Sequence, residues 1–330
     1  MRVLYAGTPE IAVPGLERLA ERHEVVGVLT NPDRGTGRGR KVRHSPVKEK
    51  ALELGLEVLQ PESLKSEARE SVSALEPELL VCVAYGRIFG PKFLALFPRG
   101  GINMHPSLLP KYRGPAPIPA AILAGEEETG ITIQFLAGEM DAGDILLQYR
   151  RPLQGRETTG ELTAWAAEKG AELLLEAVDA IQSGRVEPVP QNPQQATYCS
   201  FLSKEESWVD WSASAEQVDR MVRAYDPWPL ARTEWRGEPL IIHQAAPAEP
   251  EIAEAIRGEY RREQGLEPEP GRVLGVDKVF GILVQTGVGA LGITRLQAPA
   301  RKPMTWDAFL NGNPKLVSAL LGASKESETK

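Results

Sequence analysis

GINMHPSLLP (residues 101–110) is the most informative segment for the fold, because an apolar run ends there in a loop bounded by prolines. Side chains alternate between the two faces of a strand, so Asn103 and His105 lie on one face and Met104 lies on the other. Pro106 lacks a backbone N–H donor and ends the strand. The pattern predicts an amide and an imidazole side by side at the carboxyl edge of a sheet, where open α/β folds bind ligands.

Apolar runs before and after this segment alternate with helical patterns. Ser45 followed by Pro46 predicts a capped helix that ends near Gly55, and a longer helical pattern covers about 158–183. This alternation predicts a Rossmann-like α/β domain, a mostly parallel sheet with helices on both faces. The expected strands are RVLYAG (2–7), VVGVLT (25–30), LLVCVAY (79–85), GINM (101–104) and ITIQFL (131–136).

The composition changes after the long helical pattern. The segment 186–200 is rich in proline and glutamine and predicts a linker. Many short strands follow, separated by glycine-rich and acid-rich turns, which predicts a small β-barrel. The expected division is an N-terminal catalytic domain over 1–185, a linker over 186–203, the barrel over 204–315 and a C-terminal segment over 316–330.

The composition indicates a globular protein of two domains. The chain has 330 residues, 42% of them hydrophobic, and a chain of this length usually forms more than one core. No run approaches 18 apolar residues, and MRVLYAG at the start lacks the longer apolar region of a signal peptide. Cys82 and Cys199 provide neither a metal site nor a disulfide framework. We therefore expect a cytoplasmic protein with no membrane anchor, no metal ion and no obligatory protein partner.

A third polar side chain completes a candidate site. MDAGD (140–144) follows the apolar run ITIQFL and places Asp141 in a glycine-containing loop. Asn, His and Asp suit acyl transfer, in which an amide N–H stabilises an oxyanion and an imidazole beside a carboxylate moves protons. No serine or cysteine stands where a nucleophile is expected, so direct transfer to an amine is favoured. The competing interpretation is structural: His105 caps a strand and Asp141 stabilises a turn.

These residues resemble a known family. The run Asn-Met-His-Pro-Ser-Leu-Leu-Pro (103–110) and the later Asp-Ala-Gly (141–143), with KYRG (111–114) between them, are similar to the motifs of the folate-dependent formyltransferases. The resemblance implies that Asn103, His105 and Asp141 carry out formyl transfer. It also implies that 10-formyltetrahydrofolate is the donor. The structural interpretation of the three residues loses weight accordingly.

The resemblance extends beyond these three residues. SKEE (203–206), Asp-Trp (210–211) and DPWP (226–229) carry it into the C-terminal half, where it implies an OB-like barrel that helps to hold tRNA. A turn after the strand at 79–85 is expected to line the pterin pocket. The folate-binding residues that the resemblance implies are Ser107, Leu108, Leu109, Pro110, Tyr85, Gly86, Arg87 and Ile88.

The segment NPDRGTGRGRKVRHSPVK (31–48) concentrates positive charge. Residues 34–48 contain six basic side chains and no acid, so they hold +6; the whole chain holds −7, and the remainder therefore holds −13. A glycine-rich basic loop in an acidic protein is typical of a contact with a phosphate backbone, although it can also be a solvated surface. GTGRGR lacks the GxxxxGK[ST] order of a nucleotide-binding loop. The expected RNA contacts are Arg34, Arg38, Arg40, Lys41 and Arg43.

This insertion resembles that of the formyltransferases that act on methionyl-tRNA, which implies that initiator methionyl-tRNA is the acceptor. Two alternatives remain. A formyltransferase for a small amine, such as an amino sugar or glycinamide ribonucleotide, would use the same three residues. A non-catalytic RNA-binding protein would explain the basic loop and the barrel but not the spacing of Asn103, His105 and Asp141. A dinucleotide dehydrogenase fits poorly, because the first turn, AGTPE, has one glycine instead of GxGxxG.

Overall fold

The protein folds as two compact units. The structure is a computed structural model that describes residues 1–36 and 41–322. The N-terminal unit contains residues 1–121, 127–153 and 161–201, and the C-terminal unit contains residues 122–126, 154–160 and the chain from 202 onward. Most of the segment expected to be a linker therefore belongs to the N-terminal unit. Its main chain pairs there through the bridges Ile145–Val189 and Arg113–Tyr198.

The N-terminal unit is built on a sheet of seven strands, beside a separate two-stranded hairpin. In chain order, the strands are β1 (Arg2–Gly7), β2 (Glu24–Leu29), β3 (Arg34–Thr36), β4 (Lys41–Arg43), β5 (Val58–Leu59), β6 (Leu79–Val83), β7 (Gly101–His105), β8 (Glu128–Phe135) and β9 (Ile145–Pro152). The sheet order is β5-β2-β1-β6-β7-β8-β9, and β3 pairs with β4 to form the hairpin.

The prediction of a Rossmann-like, mostly parallel sheet is confirmed. Strands β5, β2, β1, β6 and β7 pair in parallel, and β8 and β9 continue the sheet in antiparallel pairing. All five predicted strands are present. The sequence analysis did not predict β5, which has two residues, or β9, a largely half-exposed edge strand whose burial pattern does not alternate cleanly.

Helices flank the sheet where capping signals predict them. Ser45 Oγ accepts a hydrogen bond from Lys48 N at 3.1 Å, and Gly55 ends the following helix with a φ of +68°. The long helix packs Gly170 closely against the Met104 side chain. A Cβ at Gly170 would lie only 2.0 Å from the Met104 sulfur, so this close approach requires glycine. Asn103 and His105 therefore remain on the opposite face of β7. The helices are α1 (Val13–Arg22), α2 (Pro46–Glu53), α3 (Ser66–Ala74), α4 (Pro91–Leu94), α5 (Pro117–Ala124) and α6 (Thr159–Gln182).

The C-terminal unit is an antiparallel sheet with helices around it. Its strands are β10 (Ala231–Trp235), β11 (Glu238–Pro247), β12 (Val273–Asp277), β13 (Gly281–Gln285), β14 (Ala290–Gln297) and β15 (Met304–Thr305), in the order β10-β11-β14-β13-β12 with β15 on β14. Its helices are α7 (Ala215–Ala224), α8 (Pro250–Gln264) and α9 (Trp306–Gly312). Helix α8 lies in a region where the sequence analysis expected acid-rich turns. Buried Ala253 and Tyr260 hold it in place.

The end of the described chain closes this sheet into a barrel. Gly322 exchanges two backbone hydrogen bonds with Glu234 of β10, and Leu321 N donates to Gly271 O just before β12. Both edges of the sheet are thus paired through one segment, as the prediction of a small barrel requires. Among residues 1–36 and 41–322, no helix is long and apolar enough to cross a membrane.

Candidate active site

Asn103, His105 and Asp141 meet at the carboxyl end of β7. Asn103 Nδ2 donates to Asp141 Oδ1 at 3.4 Å, and His105 Nδ1 lies 3.6 Å from Asp141 Oδ2. The alternation of side chains along β7 places the amide and the imidazole on one face, and the loop after β8 brings the carboxylate to both. The side chains of His105 and Asp141 are only 5% and 12% exposed, so the contacts form largely out of water.

The Asp141 loop adopts a demanding backbone conformation. Asp141 has a φ of +53°, in the left-handed region that side chains other than glycine rarely adopt. Its carboxylate accepts from Gly114 N at 2.9 Å and from Gln134 Nε2 at 3.0 Å, in addition to Asn103. Any side chain at Gly143 would collide with the Phe135 carbonyl oxygen. The glycine in MDAGD is therefore required by a close backbone approach.

The hydrogen bonds of His105 define its tautomer. Nε2 lies 2.8 Å from the Tyr112 carbonyl oxygen, which can only accept, so Nε2 carries the hydrogen. In the neutral ring, Nδ1 then presents a lone pair toward Asp141. Burial lowers the pKa of His105, while the Asp141 carboxylate and the Tyr112 carbonyl act in the opposite direction. The sequence analysis expected the imidazole to move protons, and in this tautomer Nδ1 accepts a proton when the ring is neutral and donates one only when the ring is charged.

Three further residues surround the Asp141 loop, and sequence reasoning gave two of them no role. Gln134 faces Asn103 across the β7–β8 ladder and contacts Asp141. Gln191 comes from the segment expected to be a linker, and its amide reaches the main chain of the Asp141 loop. Buried Arg113, which belongs to the KYRG match, donates to Gln191. An antiparallel register between β7 and β8 could have identified Gln134, but no local pattern indicates Gln191.

The segment Ser107–Pro110 is a braced loop beside this centre. Thr132 Oγ1 donates to Ser107 O at 2.7 Å and accepts from Leu109 N at 3.2 Å. Ser107 and Leu109 are buried, whereas Leu108 and Pro110 are half-buried. Of the residues expected to bind folate, Leu108 and Pro110 therefore have accessible side chains, and Ser107 and Leu109 shape the loop from inside.

In the turn after β6, too, some of the residues expected to bind folate are buried and others are exposed. The Tyr85 ring is buried and stacks on Phe89, and its hydroxyl has no partner among the described residues. Burial raises the pKa of Tyr85 to about 12. Gly86 has a φ of +81°, a Cβ there would lie 3.9 Å from Asn31 Nδ2, and Ile88 is 75% exposed. The role of this turn in folate binding stays a prediction.

The basic hairpin β3–β4 is anchored at its base. Asp33 accepts from Lys48 Nζ at 2.6 Å and from Gln60 Nε2 at 2.9 Å, and it lies 2.9 Å from His44 Nδ1. Lys48 and Gln60 hold the pKa of Asp33 down at about 2, so the carboxylate is charged at neutral pH. Lys48 is thus paired with Asp33, and its positive charge lies at the base of the hairpin.

The residues expected to contact RNA occupy the rest of this segment. The main chains of Arg34 and Lys41 pair within the hairpin, and Arg43 is exposed. Arg38 and Arg40 lie outside the described residues. In the described part of the chain, no group of three His, Cys, Asp or Glu side chains is arranged to hold a metal ion.

Comparisons with known proteins match both halves of the chain to families. Residues 1–178 match the family described as Formyl transferase, and residues 202–314 match the family described as Formyl transferase, C-terminal domain. The methionyl-tRNA formyltransferase of Treponema denticola is 44% identical to this chain over 325 residues, which cover 96% of this chain and 98% of that protein.

Solved structures share the fold. Methionyl-tRNA formyltransferase from Clostridium thermocellum has a TM-score of 0.54 at 17% identity, covering 74% of this chain and 93% of that one. HypX from Aquifex aeolicus in complex with tetrahydrofolic acid has a TM-score of 0.60 at 20% identity, covering 96% of this chain and 48% of that one; this chain thus spans about half of HypX. The family matches and the full-length similarity lead to one conclusion: the chain belongs to the formyl transferase family and, within it, to the methionyl-tRNA formyltransferases.

Proposed function

We propose that this protein transfers the formyl group of 10-formyltetrahydrofolate to the α-amine of initiator methionyl-tRNA, in the cytoplasm, for translation initiation. The observation that supports this function most strongly is the shared contact of the Asp141 carboxylate with Asn103 and His105. The 44% identity with a methionyl-tRNA formyltransferase over nearly the full length favours tRNA over a small amine as acceptor. The tetrahydrofolic acid in HypX, a protein of similar fold, supports a folate donor.

The first step forms the new C–N bond. The amine of methionine attacks the formyl carbon, and the formyl oxygen becomes an oxyanion. Asn103 uses only one N–H in its 3.4 Å contact with Asp141, so the other N–H can donate to the oxyanion. The lone pair on His105 Nδ1 takes the proton that the attacking amine loses.

The second step breaks the bond to folate. Proton transfer leaves His105 charged next to the Asp141 carboxylate, 3.6 Å away, and the opposite charge stabilises the imidazolium. The tetrahedral intermediate then collapses, its electron pair restores the carbonyl, and N10 of the folate leaves. His105 returns its proton to N10, so the products are formyl-methionyl-tRNA and tetrahydrofolate and the site is back in its starting state.

Folate and tRNA use different parts of the N-terminal unit in this proposal. Gly86, Arg87, Ile88, Leu108 and Pro110 contact folate directly, and the buried side chains of Tyr85, Ser107 and Leu109 give the two loops their shape. The basic residues Arg34, Arg38, Arg40, Lys41 and Arg43 contact tRNA phosphates, and the barrel expected over 204–315 holds tRNA further.

The test compares three possible acceptors of the formyl group. The protein is incubated with 10-formyltetrahydrofolate and, separately, with initiator methionyl-tRNA, elongator methionyl-tRNA and a nucleotide-linked amino sugar, and the formylated product is measured. We expect formyl-methionine on initiator tRNA. Formylation of the amino sugar without formylation of either tRNA would establish the small-amine alternative, and no transfer to any acceptor would favour a non-catalytic protein.

A further inference from the structure

Gln191 reaches the Asp141 loop from a distant part of the chain. Its Nε2 lies 2.8 Å from Asp141 O, 2.7 Å from Gly143 O and 3.1 Å from Gln134 Oε1. Two of these acceptors are main-chain carbonyls of the loop, and the third belongs to the side chain that also binds the Asp141 carboxylate at 3.0 Å. One amide group therefore ties both the backbone of the loop and the residue that supports its carboxylate.

Arg113 fixes the orientation of this amide. Its Nε and Nη2 donate to Gln191 Oε1 at 3.1 and 2.8 Å. A guanidinium has only donors, so the atom of Gln191 that faces it must be the oxygen, and the NH₂ group must face the Asp141 loop. Arg113 is buried at 4% exposure, and its neighbour Gly114 donates directly to Asp141. The Asp141 loop is therefore bound both by the Gln191 side chain and by the backbone N–H next to Arg113.

The Asp141 loop needs such support because the backbone conformation of Asp141 is unfavourable. Asp141 is a non-glycine residue at a φ of +53°, a conformation that persists only where surrounding contacts impose it. A displacement of about 1 Å at a reacting group can lower a rate by about 10². Contacts that hold the backbone of Asp141 in place are therefore contacts that preserve its distance to His105.

We propose that Gln191, oriented by Arg113, is a positioning residue that holds Asp141 against His105 and Asn103 during formyl transfer. The inference rests on the proposed function of these three residues. It gives a role in the active site to a residue from the segment expected to be a linker.

The test compares two glutamines of one segment. Gln191→Met preserves the length of the side chain and removes its hydrogen bonds; Gln194→Met is the matched control, because Gln194 is exposed. We expect Gln191→Met to lower kcat by about 10- to 100-fold with KM values for both substrates changed by less than about threefold. The control should keep the wild-type kcat. Unchanged kcat in Gln191→Met would overturn the inference.

A pH profile separates positioning from general loss of structure. Among the residues that the structure describes, Asp141 is the charged group that acts on His105, and burial raises the pKa values of the nearby Cys82 and Cys199 thiols, which stay neutral. Gln191→Glu adds a negative charge, which raises the pKa of His105 and moves the acid limb of kcat to higher pH. Gln191→Met loosens Asp141 and moves the limb to lower pH.

The outcomes separate a failure of the proposed function from a failure of the inference about Gln191. If wild type and Gln194→Met both fail to formylate methionyl-tRNA, the proposed function is wrong. If they formylate it and both Gln191 variants lose kcat with an unmoved acid limb, Gln191 is only structural and the inference is wrong. Opposite displacements of the limb, with thermal unfolding close to wild type, establish positioning.

Discussion

The Asp141 loop and the β3–β4 hairpin are both short connecting segments of the N-terminal unit, but they are held in different ways. The Asp141 side chain is 12% exposed, and its carboxylate accepts from three N–H donors, two of which, on Asn103 and Gly114, lie 38 and 27 positions away along the chain. The hairpin has two strands of three residues each, and Asp33 anchors it at its base. In the Asp141 loop, hydrogen bonds fix the position of one carboxylate. In the hairpin segment, positive charge is concentrated.

Because of this difference, substitutions in the two regions should change different measured quantities. A reaction between buried groups depends on small distances, so changes at the loop should alter kcat. Contacts between basic side chains and phosphates depend on charge and are screened by salt, so changes at the hairpin should alter tRNA affinity and its salt dependence. A loop variant that changed only tRNA affinity, or a hairpin variant that changed only kcat, would contradict this distinction.

The largest effect is expected at Asn103. Asn103→Ala removes the proposed oxyanion donor and should lower turnover by roughly 10² to 10³, the scale for losing one such donor. Folding should change little, because the side chain is only partly buried and its contact with Asp141 is long, at 3.4 Å. Steady-state kinetics and folate binding are measured together. Near-normal turnover with intact folate binding would contradict the role of Asn103.

Asp141→Asn should have the next largest effect. The substitution keeps the shape and removes the charge that stabilises the His105 imidazolium, so we expect a loss of about 10² in kcat. In the wild type, burial lowers the pKa of His105 and Asp141 opposes this shift. The acid limb of kcat/KM should therefore lie below about pH 6.5, the ordinary histidine value, and move lower still in Asp141→Asn. A limb that rises, or does not move, would show that the carboxylate is not coupled to His105.

Simultaneous replacement of Arg38, Arg40 and Lys41 by alanine should act on tRNA alone. Affinity for tRNA should fall, and the slope of log K against log salt should flatten by about two to three units if each residue contacts one phosphate. The rate of formyl transfer from the saturated complex should match that of the wild type. Binding is measured by titration at several salt concentrations.

A control with the same change in charge sharpens this result. Alanine at Arg22, Arg69 and Arg185 removes three positive charges from other elements of the same unit. This control should keep the wild-type salt slope. Equal slopes in both triple variants would mean that the hairpin acts only through net charge, and that the specific contacts assigned to it are wrong.

The smallest effect is expected at Asp33. Asp33→Asn keeps the size of the side chain and weakens its contacts with Lys48 and His44. The hairpin loses part of its anchor but no phosphate contact, so tRNA affinity should fall only a few-fold at an unchanged salt slope. A changed slope would place Asp33 or its partners in direct contact with the backbone of tRNA.

The sequence predicts those features that are encoded in short repeating patterns. Asn103 and His105 share a face because strands alternate, and the Ser45 cap starts α2 where expected. Helix α8 was missed although Ile252, Ile256 and Tyr260 repeat at helical spacing, because its many charged residues resemble a solvated turn. A search for spacing instead of composition would have found it.

Contacts between distant segments could not be predicted in this way. Gln191 lies 50 positions from Asp141 and in a segment whose prolines favour extended structure. Its importance depends on Arg113, 78 positions away, which turns its amide toward the loop. No local pattern encodes that arrangement, since it exists only once the sheet has brought the three segments together.

The most direct test of the central claim is the single-turnover rate of formyl transfer to initiator methionyl-tRNA, measured with enzyme in excess for wild type and His105→Ala. Single turnover separates the chemical step from binding and product release. We expect the wild type to form formyl-methionyl-tRNA and the variant to be slower by about 10² or more, with folate still bound. Equal rates, or a wild type that leaves methionyl-tRNA unformylated, would contradict the account.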